Sequence, residues 1–155
     1  MSTCCSFDTV QPASPASALA ADADRQANRI ASSVHSAIYA VDPGRKTTER
    51  RLESRHPYPY PVHLTPIDAA SRPEVLRTFV VIGKHLSPHG LDFYFRLPLP
   101  ERRVIASLDC GREGWIGLLL ELAWCRFSRH GWYDNGGRFL AVVPSPLLEL
   151  DGRAA

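Results

Sequence analysis

The sequence is short of most features that would name a function outright. Its formal net charge is only +2 over 155 residues, too little to announce a nucleic-acid coat or a polybasic membrane-surface protein. The longest apolar run, around Leu118 to Leu120, is broken by Glu121 and is far too short to span a bilayer, so no membrane insertion is expected. The N-terminus lacks the basic start, long apolar run and small-residue cleavage site of a secretory signal, and the expected location is cytoplasmic. The four cysteines form neither a zinc spacing nor a disulfide-dense scaffold: Cys4 and Cys5 are vicinal in a polar tail, while Cys110 and Cys125 sit in apolar surroundings. They are read as reduced. No internal repeat is visible, and no G-x-S-x-G elbow marks a serine nucleophile.

What remains is a globular composition, 45% hydrophobic and 22% charged, in a chain long enough for one domain of about 100 to 150 residues and a tail. Residues 1 to about 23 are rich in Ser, Ala, Pro and Asp without periodic large apolar residues, so they are expected to form a disordered tail. From Asp24 to Val41, Ile30, Val34 and Ile38 recur at helical spacing, which predicts a short helix that Asp42-Pro43-Gly44 stops. Residues 42–56 then form a linker, in which Arg45, Lys46, Arg50, Arg51 and Arg55 make a local cationic stretch relieved only by Glu49 and Glu53.

Beyond Arg55 the pattern is that of strands. Tyr58, Tyr60, Val62 and Leu64 alternate with prolines and a histidine, which predicts an extended edge segment, since proline cannot donate to a ladder. Leu91, Phe93 and Phe95 alternate with Asp92, Tyr94 and Arg96, giving a period of two with one buried face. Phe79 to Ile82, Arg103 to Leu108, Leu118 to Phe127 and Arg138 to Val143 supply further runs. The Asn135-Gly136 dipeptide predicts a hairpin turn between the last two. About six strands with short turns and no helix-length spacers argue for an antiparallel sandwich or small barrel over residues 57–146, followed by a C-terminal tail at 147–155.

Two short motifs carry chemistry. In Arg51-Leu52-Glu53-Ser54-Arg55, with Arg50 beside it, planar guanidinium groups can pair bidentately with phosphate oxygens or with the O6/N7 edge of guanine. In the turn His85-Leu86-Ser87-Pro88-His89-Gly90, Ser87 offers a small donor and acceptor, and Gly90 permits a close approach that a side chain forbids. His85 and His89 straddle a Pro-Gly turn without a third ligand nearby in sequence, so no metal site is expected. Trp115, Trp124 and Trp132 are read as packing residues rather than base-stacking platforms, and nucleic-acid binding is not expected.

Together these residues resemble the PilZ domain family, whose pattern is R-x-x-x-R followed by about six β-strands, with a [D/N]-x-S-x-x-G turn after the second. Arg51 and Arg55 match the first motif, and Ser87 and Gly90 the second. The resemblance covers roughly Arg50 to Val143. It implies a mainly all-β chain: a six-stranded antiparallel barrel, with an N-terminal helix and a disordered tail, that binds the bacterial second messenger cyclic di-GMP. It further implies that Arg51 and Arg55 anchor the ligand, that Ser87 contacts a guanine and Gly90 shapes the turn, with Arg50 as an auxiliary. His85 stands where the family usually has Asp or Asn. A carboxylate accepts from two guanine donors at once, whereas a neutral imidazole offers one acceptor. His85 is counted with the ligand-binding residues, and His85→Asp tests its place there: tighter binding would support the guanine contact, and unchanged affinity would mean that His85 points elsewhere.

The expectation is a receptor without catalytic residues, metal or cofactor, whose N-terminal segment passes the signal to an unknown protein partner. The alternative from another class is a degenerate barrel of the same kind that has lost the nucleotide and serves as a protein-interaction adaptor.

Overall fold

In the computed structural model, residues 14–44, 55–128 and 130–148 are described. The chain begins with a helix, α1, over Pro15–Val41. It starts well before the expected Asp24, so residues 15–23 are not part of a tail. The reason is local: Pro15 opens the helix with its ring already at a helical φ, and Ala16, Ala18, Ala20, Ala21 and Ala23 carry the highest helix propensity. A segment can thus be helical without burying anything and without an apolar stripe. The stripe begins later, where Ile30, Val34, Ala37 and Ile38 are buried.

Strands follow as β1 (His56–Pro57), β2 (Pro61–Pro66), β3 (Phe79–Leu86), β4 (Gly90–Phe95), β5 (Arg103–Asp109), β6 (Trp115–Phe127) and β7 (Tyr133–Val143). All pairings are antiparallel, in the order β3-β2-β5-β6-β7-β4, and β4 pairs back onto β3, so six strands close into a barrel and β1 adds a two-residue ladder to β3. This is the six-stranded antiparallel barrel with an N-terminal helix that was expected. Inward residues alternate along the strands, among them Val62 and Leu64, Leu91 and Phe93, Val104, Ala106 and Leu108, and Leu118 and Leu120, and all are fully buried. The buried stripe of α1 belongs to the same core cluster and packs against β5, β6 and β7.

Three local expectations are corrected. The segment through Val62 is not an edge: β2 lies between β3 and β5, and its prolines, Pro61 and Pro66, stand at the two ends, where a missing N–H costs least. Asn135-Gly136 is not a turn. Both residues lie within β7, paired with β4 and β6, and the reversal comes earlier, where Ser128 N–H donates to Trp132 O. Gly136 is needed there for space, because a Cβ on it collides with the Trp124 ring. Leu147, assigned to a C-terminal tail, is buried. The assignments for residues 1–13, 45–54 and 149–155 fall outside the described residues.

Candidate functional site

The turn between β3 and β4 is built by Ser87. Its backbone N–H donates to Gly90 O at 3.0 Å, while its Oγ accepts from the N–H groups of His89 and Gly90 at 3.2 and 3.3 Å. The acceptor side of the hydroxyl is therefore committed to the turn. Its proton has only a long 3.5 Å contact with Gly90 O and is well placed to be redirected to a ligand. Gly90 pairs with Arg138 of β7, and a Cβ at position 90 collides with the carbonyl of Gly137. The glycine of this motif thus serves close strand approach rather than an unusual φ.

A slip in register just before the turn decides which way His85 points. Gly83 pairs with Phe93 and His85 with Asp92, leaving Lys84 as an extra residue on β3. Strict alternation from Val81 through Gly83 would turn His85 into the core. The extra residue reverses the parity, so Leu86 is buried and His85 emerges on the outer face beside Asp92. A second slip leaves Ala123 unpaired on β6, between the Leu122–Gly137 and Trp124–Gly136 pairs.

Between these two irregularities lies a surface cavity of about 330 Å³, at the lower end of the range for small-ligand sites. One wall is Arg55, His85, Ser87 and Gly90, with His89 at the turn, and the other is Ala123, Trp124, Gly137 and Arg138. Arg55 lies immediately before β1, and its guanidinium meets the Asp92 carboxylate at 3.2 Å. His85 Nδ1 lies 3.5 Å from the same carboxylate oxygen. Arg138 is held by Glu121 through Nε and Nη2 at 3.2 and 3.0 Å, and Arg103 takes the other oxygen of that carboxylate. The two guanidinium groups, Arg138 first, keep the Glu121 carboxyl below the ordinary carboxylate range. Trp124 lies across Gly136, with the Arg126 guanidinium 4.7 Å from its ring centroid.

The structure therefore brings Arg55, His85, Ser87 and Gly90 to one cavity. Arg50 and Arg51 lie outside the described residues. Chain connectivity still limits Arg51: four peptide steps separate its Cα from that of Arg55, at most about 14 Å when fully extended. Sequence reasoning missed Asp92, Trp124 and Arg138 as site residues. Asp92 was legible in part, as a polar residue two positions after Gly90 on the outward face of β4. Trp124 and Arg138 were not, because their place in the wall depends on how β6, β7 and β4 pair.

Among the described residues no helix is long and apolar enough to cross a membrane, and no group of three or more His, Cys, Asp or Glu is arranged to hold a metal ion. Cys110 and Cys125 are both free thiols.

No protein-family model matches the chain, and no curated protein matches it in sequence. Among solved structures, MrkH of K. pneumonia in its apo state is similar over 71% of this chain and 50% of its own, with 11% identity and a TM-score of 0.40. A second crystal of MrkH gives 12% identity and a TM-score of 0.40, over 62% of this chain and 44% of the other. The chain thus spans about half the length of MrkH. The PilZ domain of YcgR from Escherichia coli, solved with c-di-GMP, is similar over 66% of this chain and 86% of its own, with 18% identity and a TM-score of 0.41. Likeness at this level assigns neither a family nor a ligand to the chain, and the functional reading rests on the residues around the cavity.

Proposed function

We propose that the chain is a receptor for cyclic di-GMP, held in the cavity between the β3–β4 turn and the β6–β7 wall. The observation that carries this reading is convergence. Arg55 from the first motif and Ser87 and Gly90 from the second are far apart in sequence, yet they line one cavity of about 330 Å³.

The chemistry suits a cyclic dinucleotide. Arg55 offers a planar fork for a phosphate or the O6/N7 edge of guanine, and its side chain is 68% exposed, so it is free to turn toward a ligand. Arg51, tethered within about 14 Å of it, supplies a second guanidinium, with Arg50 as auxiliary. Ser87 presents its hydroxyl proton. Binding draws the arginine-bearing segment onto the barrel. Because that segment joins directly to α1, the ordering is passed to the helix as the output.

Calorimetric titration of the full chain with cyclic di-GMP at two salt concentrations, with GTP as control, tests this reading. Saturable, selective binding that weakens with salt is the expected result. Absence of heat and of any thermal shift would overturn it in favour of the adaptor reading.

A further inference from the structure

Asp92 combines two properties that rarely go together. It lies on the outward face of β4, between the inward Leu91 and Phe93, yet its relative exposure is only 9%. A carboxylate so enclosed is costly unless its oxygens are paired. The partners it faces are the Arg55 guanidinium and the His85 ring, and it lines the cavity with both. Arg55 is a loose partner, mostly exposed and carried by the chain just ahead of the first strand.

The enclosed oxygens are acceptors only. A base that presents two adjacent donors, as guanine does with N1–H and N2–H, satisfies both of them at once. Adenine presents one donor and one acceptor on the same edge, and its N1 lone pair faces a carboxylate oxygen unfavourably. His85 has no comparable offer: its Nδ1 is directed at Asp92, and it is buried without a hydrogen-bond partner.

We propose that Asp92, rather than the residue at position 85, is the specificity-determining carboxylate that reads the guanine edge. The assignment rests on the nucleotide-receptor reading above. Arg55 neutralises Asp92 in the empty cavity. When guanine arrives, its two N–H groups take over the carboxylate and Arg55 is released to the phosphate.

The test uses the full chain and its Asp92→Asn, Asp92→Glu and His85→Ala variants, each titrated with cyclic di-GMP and with cyclic di-AMP and each followed by thermal melting. The amide of Asp92→Asn keeps the size but replaces one acceptor with a donor, a pattern that matches the adenine edge. The expected result is at least a tenfold loss for cyclic di-GMP with a relative gain for cyclic di-AMP. Asp92→Glu and His85→Ala each keep the guanine preference, at reduced affinity. A folded Asp92→Asn chain with unaltered affinity and preference would overturn the assignment alone and leave Asp92 a partner for Arg55. Should Asp92→Asn fail to fold, the glutamate variant decides: unchanged affinity counts against the assignment, weaker but guanine-selective binding for it. If the unaltered chain takes up neither nucleotide, the receptor reading fails and the assignment falls with it.

Discussion

Asp92 and His85 face each other across the β3–β4 ladder, with the carboxylate oxygen 3.5 Å from Nδ1 of the imidazole. This pairing bears directly on what an acid at position 85 would do. His85→Asp sets two carboxylates side by side, and like charges directly opposite on a sheet cost up to about 1 kcal/mol. The variant is expected to melt lower than the unaltered chain at neutral pH and to bind cyclic di-GMP no more tightly. Thermal melting and a calorimetric titration check this.

Arg55→Ala should separate binding from folding. The side chain is 68% exposed, but that of its Asp92 partner is only 12% exposed, so its loss leaves an enclosed carboxylate short of a partner. Affinity for cyclic di-GMP is expected to drop at least tenfold while the denaturation midpoint falls modestly. A large fall in stability would mark Arg55 as a structural residue.

Gly90→Ala should do the opposite. Its methyl group meets the Gly137 carbonyl, a backbone atom that cannot swing aside, and overpacking of this kind costs about 1 to 3 kcal/mol. Chemical denaturation reads the loss directly.

The two described thiols should differ in reactivity and in their effect on pH stability. Cys110 is buried, and that burial, more than nearby Glu113 and Asp109, pushes its pKa up to about 11, whereas Cys125 is exposed. Alkylation near pH 8 followed by peptide mass analysis is expected to modify Cys125 and spare Cys110. Tyr58 is shifted in the same sense, to about 12, chiefly by burial. For both groups the folded state favours the neutral form. Their contribution is fully present below the ordinary values of 9.0 and 10.0 and is lost as pH rises toward 11 and 12. The melting temperature should therefore fall across that alkaline window, less steeply in Cys110→Ala.

Helix α1 divides into two parts with different sensitivities. Val34 is fully buried, and Val34→Ala is expected to cost roughly 2 kcal/mol. Leu19, 74% exposed on the first turns, should tolerate alanine within about 0.5 kcal/mol. Equal effects at the two positions would contradict the packing described here.

Much of the barrel was legible because a period of two is a local property. Leu91 and Phe93, or Val104 and Leu108, must alternate whatever they pair with, and Pro43-Gly44 must end a helix whatever precedes it. The motif residues Arg55, Ser87 and Gly90 were legible for the same reason: guanidinium forks, small hydroxyls and side-chain-free positions announce their chemistry in sequence. The start of α1 was missed because alanine propensity leaves no stripe to follow, and Asn135-Gly136 was misplaced because a dipeptide's turn preference yields to a neighbour such as Trp124.

By itself, then, the sequence determined the strand-forming segments, the end of the helix and the kinds of group brought to the site. Only the tertiary structure decided that β4 closes onto both β3 and β7. It also decided that an extra residue at Lys84 turns His85 outward, and that Asp92 is thereby enclosed beside Arg55. Pairing partners and register are set by contacts between residues distant in the chain, and no local periodicity encodes where one strand slips against another.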